Sequence, residues 1–373
     1  MRVAVDARQV YRANRRGIGK MLRLMLQHLA AARPDWDLRL FHQSDAPDEP
    51  FPGRSPNLRS RKIDMPGDRL DLWEQVRLPL AARRTDVLYC PANTGPRWPM
   101  RPLVLTVHDL IPLELDPGNP ASAAWGRRVA RAARTACRIH AISTYTARQL
   151  TAMLDVSPRK IEVIPNGLDS RFVRVTDPAV IGAVRGKYGV PAGHPFVLAF
   201  GAADPRKNTR RVLEAWAELP CSLRERFFLL VVGIQDAVMQ SFRELAAEVL
   251  PCGGWHLHGF AEEEDLPGLL SAAELLCYPS LAEGFGLPVL EAFGCGTALL
   301  TSNTTSLPEV AGDAAVLVDP TDTSALARGL EDLLSDDGSR AEIASHGSIR
   351  AKGFTWMTIA GQMADVLTTA ARG

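Results

Sequence analysis

The 373-residue sequence has no Cys-x-x-Cys pair among its six cysteines (Cys90, Cys137, Cys221, Cys252, Cys277 and Cys295), and several of them sit in apolar, strand-like runs. That pattern excludes a thiol-ligated zinc module or a disulfide framework and fits reduced, buried thiols. It has no long apolar stretch either: the longest, Phe227 to Ile234, is far too short to span a bilayer. The opening Met1-Arg2-Val3-Ala4-Val5-Asp6 lacks the features of a secretory leader, so a cytoplasmic location is expected. His256 and His258 alternate along one strand, but no acidic or thiol partner is spaced to complete a metal site. Net charge is nearly absent as well, at +1. The balance hides an asymmetry, because residues 1–170 carry 27 basic against 17 acidic side chains and the remainder 16 against 25. A basic half favours some anionic partner without naming it, and the two halves are expected to meet different partners.

What is present is alternation. Short apolar runs at 2–6, 38–42, 86–89, 103–107, 139–143 and 161–164 are separated mostly by helix-length segments. The second half repeats the scheme at 196–201, 227–232, 255–258, 274–278, 297–301 and 314–318. Two doubly wound parallel α/β sheets of about six strands each follow, with ligands expected at the carboxyl ends of the strands.

The most informative stretch is Ser280 to Gly296. A Gly-rich turn leads into a short helix with Pro288 placed for its first turn and Gly296 placed to end it. Gly284 and Gly286 leave backbone N–H groups uncovered where the positive end of the helix opens, which makes an anion site reaching through Phe285 to Leu287. Glu283 and Glu291 bracket it. Carboxylates repel an anion but accept from vicinal hydroxyls, so the plan fits a ligand with phosphate in the middle and a polyol at each end, as in a nucleotide-sugar.

Glu283 through Glu291 resembles the paired-glutamate signature of the retaining glycosyltransferases of family four, and the likeness runs along nearly the whole chain. It implies the GT-B fold, two Rossmann-like domains facing each other across a cleft. The corresponding boundaries are 1–172 for an acceptor-side domain, 173–353 for a nucleotide-sugar domain and 354–373 for a final helix crossing back, with Trp356 as its anchor. The Gly17-Ile18-Gly19-Lys20 loop, ahead of a helix from Met21 to Ala32, departs from a dinucleotide fingerprint because Leu22 stands where a third small residue belongs. In the resembled family, Gly17 and Gly19 would face the donor diphosphate. His108, after the fourth run, matches the family's cleft histidine, and Asp109 either orients the imidazole or touches an acceptor hydroxyl. Asp64 to Arg69 and Leu72-Trp73-Glu74-Gln75 are expected on the acceptor-side surface.

In the second half, Arg206 and Lys207 precede a helix (Arg211 to Leu219) that Asn208 or Thr209 can cap, which places two cations where a diphosphate would be received. Lys207 matches the family's second cation. The family's arginine is replaced by Ala202, and Arg206 either stands in for it from a different angle or forms a surface ion pair. Gly259 and Phe260, after His258, match the segment whose backbone reads the base, while Glu283 and Glu291 would grip sugar and ribose. Catalysis would then rest on His108, Arg206, Lys207 and Glu283, with no cofactor and no metal, and with Asn208 among the donor contacts. The Pro205-Arg206-Lys207-Asn208 variant resembles that of bacterial mannosyl- and rhamnosyltransferases of surface-polysaccharide assembly, which puts GDP-mannose first among donors. The acceptor would be a glycan, a lipid-linked molecule or a small molecule, and not a nucleic acid.

A basic helix is expected over Ser122 to Arg138, with Arg127, Arg131, Arg134 and Arg138 on one stripe. It reads either as a solvated face or as a contact with anionic headgroups or a lipid-diphosphate acceptor, which would put the basic domain at the inner face of the plasma membrane. The same architecture also admits a nucleotide-sugar epimerase, a non-catalytic sugar-nucleotide-binding module and a phosphorylase, though no motif here suggests the pyridoxal cofactor of the last.

Overall fold

The computed structural model describes residues 1–12, 17–43, 51, 55–65 and 70–373. The chain forms two compact units: Met1–Gly167 together with Phe354–Gly373, and Leu168–Gly353.

The first unit is built on a seven-stranded parallel sheet. Its strands are β1 (Arg2–Asp6), β2 (Asp37–His42), β3 (Leu58–Lys62), β4 (Val87–Cys90), β5 (Leu103–Val107), β6 (Arg138–Ala141) and β7 (Ile161–Val163), in the order β3-β2-β1-β4-β5-β6-β7. Six were expected. The seventh, β3, is Leu-Arg-Ser-Arg-Lys, with only Leu58 buried. It is an edge strand, where charged side chains discourage pairing with another chain, and so it carries no apolar run to read. The central strands β4 and β5 are buried at every position, as a sheet covered on both faces requires.

Helix ends differ from expectation in two places. The first helix starts at Gly17 and runs to Ala32, so Gly17 and Gly19 belong to its opening turn. The basic helix is Pro120–Thr135, and Arg138 instead opens β6, because Ala136 turns extended and ends the helix. Asn119 caps its start by accepting from the Ala121 N–H at 2.9 Å.

The segment Leu72-Trp73-Glu74-Gln75 is not the exposed surface the sequence suggested: Trp73 and Glu74 are buried. Trp73–Arg77 winds as a π-helix, with the Leu78 N–H bonded to the Trp73 carbonyl, and Trp73 donates its indole N–H to the Ile63 carbonyl at 3.1 Å. Residues 66–69 of the turn proposed before it lie outside the described residues.

The final helix, Trp356–Arg372, packs on Gly17–Ala32 within this unit. Thr355 caps it, and Trp356 is buried beneath Gly167, where a Cβ would fall 2.7 Å from the indole. Only glycine admits that approach.

The second unit has a six-stranded parallel sheet in the order β10-β9-β8-β11-β12-β13. Its strands are β8 (Phe196–Phe200), β9 (Phe228–Val232), β10 (Trp255–His258), β11 (Leu275–Tyr278), β12 (Ala298–Ser302) and β13 (Val316–Val318). Order reverses between β8 and β11, which pair Leu276 with Leu198, and such a switch point opens a crevice at the carboxyl edge. Trp216, Phe227, Leu213 and Leu330 fill one core layer beneath the sheet, each such burial contributing about 1.5–3 kcal/mol.

Candidate active site

The loop after β8 and the loop after β11 meet at this switch point. Asp204 opens a 3-10 turn, Pro205–Lys207, by accepting the Arg206 N–H at 3.0 Å. The same carboxylate binds the Arg206 guanidinium, at 2.6 Å from Nη2. Burial alone would raise the Asp204 carboxyl, but Arg206 holds it below its ordinary value. Arg206 therefore makes an ion pair at the surface with a residue two positions away.

Lys207 reaches the other way. Its ammonium donates to Glu283 Oε1 at 2.7 Å and to the Tyr278 hydroxyl at 2.8 Å, and Tyr278 in turn donates to Glu283 Oε1 at 2.6 Å. The Ser280 hydroxyl lies 2.7 Å from Glu283 Oε1 and 2.9 Å from the Arg206 carbonyl. One proton serves only one of them, and the charged acceptor makes the stronger bond. Burial opposes the charge of Glu283, yet the field of Lys207 and these three donors keep its carboxyl below the usual value. The Tyr278 hydroxyl moves up, through burial first and the adjacent carboxylate second. The expected sugar acceptor and the expected phosphate cation are thus each other's partners before any ligand arrives.

The backbone around Glu283 is clamped from β12. The Ser306 hydroxyl lies 2.8 and 2.9 Å from the carbonyls of Glu283 and Phe285 and its single proton is shared between them, Thr305 accepts the Glu283 N–H at 3.2 Å, and Ser302 donates to the Ser280 carbonyl at 2.6 Å. Gly286 then turns the chain into the helix Leu287–Cys295 with φ 102°, and a Cβ there would lie 2.6 Å from Leu307 Cδ2. Pro288 has no N–H and the Val289 N–H bonds the Gly286 carbonyl at 3.0 Å, so the helix offers an anion chiefly the Leu287 amide. Glu291 stands one turn in, half-buried, and its charge acts on Tyr278. Gly284 and Phe285 are buried beneath the turn.

Asn208 does not make the cap expected of it. It sits in the left-handed region (φ 58°) and caps no backbone N–H of the Thr209–Glu218 helix it precedes, its Oδ1 accepting instead from Arg211 Nη1 at 3.0 Å. Its buried amide donates instead to the carbonyls of Pro279 and Pro320, at 3.0 and 2.7 Å, tying the β8 loop to the ends of β11 and β13. Replacing it with alanine strands both carbonyls and leaves a non-glycine residue in left-handed backbone, a loss of about 1–3 kcal/mol. N208D should be worse, since a carboxylate would face two acceptors. Denaturant midpoints of the three proteins measure this, and equal midpoints would contradict the role.

Gly259 and Phe260 follow β10. The Gly259 carbonyl accepts the Gly233 N–H at 2.8 Å, and Phe260 is largely exposed. Neither touches the Lys207–Glu283 knot among the bonds described. Among the described residues no group of three or more His, Cys, Asp or Glu is spaced to hold a metal ion.

The first unit gathers its own polar residues at the carboxyl edge. His108 is buried after β5, and its Nε2 lies 2.8 Å from the Pro91 carbonyl. A carbonyl only accepts, so Nε2 carries the proton. Burial pulls the imidazole down to about 4, against the pull of that bond, which leaves it neutral near pH 7 with Nδ1 as an acceptor. Pro91 orients the imidazole, and the Asp109 carboxylate accepts from the Ile111 N–H at 3.2 Å. Nearby, Tyr89, Thr106 and His140 form a relay of 2.9 and 3.0 Å bonds ending on the Ile164 carbonyl at 2.7 Å. That carbonyl fixes the proton on His140 Nε2, so the threonine hydroxyl donates to Nδ1. At the end of β1, Arg8 bridges Asp6 and the buried Glu74 at 2.6 and 2.7 Å over the Trp73 ring. Neither the relay nor this bridge is legible in the sequence, because their members lie far apart in the chain, on different strands and on the π-wound turn.

Comparison with known proteins decides the family. Residues 15–172 match the model described as Glycosyltransferase Family 4, and residues 181–349 match the model of Glycosyl transferases group 1. The chain belongs to glycosyltransferase family four. The transferase is 29% identical over 360 residues to O-antigen chain mannosyltransferase B of Escherichia coli, covering 91% of this chain and 92% of that protein. It is 31% identical over 263 residues to the serotype-specific mannosyltransferase WbdA of Escherichia coli; that match takes in 69% of this chain and spans about a third of WbdA, 32%. Among solved structures, that of Anabaena Alr3699/HepE in complex with UDP-glucose superposes with a TM-score of 0.78 over 99% of the transferase and all of the other chain, at 20% identity. At that identity the likeness establishes the GT-B fold.

Proposed function

We propose that this transferase moves a hexose from a nucleoside-diphosphate sugar to an acceptor hydroxyl on a glycan, glycolipid or small molecule, with retention at the anomeric carbon. The observation that carries the reading is the Lys207–Glu283 pair, held by Tyr278 and Ser280 at the sheet's switch point and beside a helix N-terminus. As the glycosidic bond breaks, negative charge grows on the departing diphosphate. Lys207, Arg206 and the Leu287 amide are the groups to receive it, already fixed by Glu283, Asp204 and Gly286 and so needing little reorganisation. Glu283 is held as an acceptor and not as a nucleophile of the hydrolase kind, since its Oε1 already accepts three hydrogen bonds. Attack from the face the diphosphate leaves, with a phosphate oxygen taking the acceptor's proton, fits that arrangement. Protein cations take the charge, and no divalent metal is given a step. Neutral His108 would accept from a sugar hydroxyl through Nδ1.

GDP-mannose is the first donor to test. The two mannosyltransferases above support that order. A panel of GDP-mannose, UDP-glucose, UDP-galactose and dTDP-rhamnose, read by the shift in melting temperature, should single out one donor. A stabilisation of about 2.7 kcal/mol corresponds to a donor at one hundred times its Kd. The selected donor should then be consumed only when an acceptor is present. Indifference to every donor, or consumption without acceptor as an epimerase would show, contradicts the proposal.

A further inference from the structure

We propose that Cys221 and Cys252 form a thiol–disulfide exchange site in the second unit, one that takes a small zwitterionic disulfide and ends as a Cys221–Cys252 bond. The inference is independent of the donor chemistry.

Cys90, Cys277 and Cys295 are buried, as the sequence suggested, and half-buried Cys137 donates its S–H to the Leu103 carbonyl at 3.2 Å. Cys221 and Cys252 are instead exposed. Both line one cavity of about 360 Å³, although β9 and the helix Asp236–Val249 lie between them in the chain. The cavity sits at the amino ends of three neighbouring strands: Pro191 and His194 precede β8, Phe227 precedes β9, and Cys252 and Gly253 precede β10. Lys207 follows β8, at the other end of the sheet. The turn that carries Cys252 is made by Gly253 and Gly254, with φ of 77° and 80°. It lies against the helix Cys221–Arg226, since a Cβ on Gly254 would fall 3.3 Å from the Arg224 carbonyl.

The two thiols are not equivalent. Arg224 Nη2 donates to Cys221 Sγ at 3.3 Å, and Nε of the same guanidinium is fixed on the Leu219 carbonyl at 3.0 Å. The thiolate is the nucleophile in disulfide exchange, and a charged donor aimed at sulfur favours it. Cys221 is therefore the attacking sulfur, and Cys252 on its glycine turn resolves the adduct. Arg224 and Glu225 line the same space beside Pro191 and Phe228, so an adduct meets both signs of charge, as a zwitterionic peptide disulfide requires. The volume suits a small ligand. In the first step the Cys221 thiolate bonds to one sulfur of the small disulfide, whose S–S bond breaks, and the departing thiolate takes up the proton that Cys221 released. The Cys252 thiolate then attacks the Cys221 sulfur and displaces the second small thiol, which gains the Cys252 proton. Two electrons have passed from the protein thiols to the small disulfide. The new bond closes a loop around β9 and the helix Asp236–Val249, which restricts the unfolded chain.

Incubation of the reduced full chain with glutathione disulfide, followed by alkylation of the remaining thiols and peptide mapping, tests the proposal. The wild type should give a monomer with Cys221 joined to Cys252 and the other cysteines still alkylated on unfolding. C252S should stop with one glutathionyl group on Cys221. C221S should react at Cys252 about tenfold or more slowly than the wild type reacts at Cys221, because the thiol facing the guanidinium is gone. Both serine variants should melt as the reduced wild type does, and C137S should oxidise at the wild-type rate. The proposal is overturned if Cys221 and Cys252 both stay alkylatable in the wild type, or if C221S reacts as fast as the wild type. A disulfide-linked dimer in place of the internal bond would overturn it equally.

Discussion

Lys207→Ala loses about 10²–10³ in turnover, the usual effect of removing one preorganised donor from a developing anion. The structure adds a second consequence. Lys207 neutralises Glu283, whose side chain is 16% exposed, so the variant leaves a carboxylate supported only by Tyr278 and Ser280. Breaking a fully buried pair costs about 3–5 kcal/mol, and with 28% of the lysine side chain exposed the loss should fall below that range. Adding Glu283→Gln removes the stranded charge. K207A/E283Q should therefore recover most of the lost stability while its turnover stays low. Denaturation curves and steady-state rates on the four proteins of the cycle separate the two effects. If activity returned together with stability, Lys207 would be a structural cation and no part of the leaving-group site.

Acid destabilises the first unit before most carboxylates titrate. His108 and His140 are both buried and drawn down to about 4 from 6.5, by burial in each case. Between those values the unfolded chain binds protons that the folded chain refuses. Stability is complete above pH 6.5 and falls as pH drops toward 4, at about 1.4 kcal/mol per pH unit for each histidine and about 3 kcal/mol for each across the window. His108→Gln should reduce that slope by about half while lowering stability at pH 8 through the altered bond to Pro91. Urea titrations at half-unit pH steps give the slope directly. A wild-type curve flat between pH 6.5 and 4 would show that both imidazoles are hydrated in solution.

Legibility differed between elements for physical reasons. The inner strands of the second sheet, β9 and β11 among them, were visible because a parallel strand buried on both faces must be apolar from end to end; β3, an edge strand with four exposed residues, gives no such signal. Lys207 and Glu283 could each be singled out from residue type and position beside a strand end. Their pairing could not, since they are 76 positions apart and only the adjacency of β8 and β11 joins them. Asn208 looks like a helix cap in sequence, but the 3-10 turn before it pushes it into left-handed backbone and aims its amide at Pro279 and Pro320. Trp73 and Glu74 follow a turn and so read as surface, whereas the π-wound turn rotates both inward. The hydroxyl-rich run Thr301-Ser302-Asn303-Thr304-Thr305-Ser306 was the overlooked signal. Such a cluster after an apolar strand has backbone groups to satisfy, and here they are the carbonyls of Ser280, Glu283 and Phe285.

The central claim is that the donor's pyrophosphate seats on the Lys207 loop beside the Leu287–Cys295 helix. A crystal structure of the chain with the nucleoside diphosphate of its selected donor tests it most directly. The account predicts phosphate oxygens within about 3 Å of Lys207 Nζ and the Leu287 N–H; phosphates bound elsewhere, with the Lys207–Glu283 pair untouched, would contradict it.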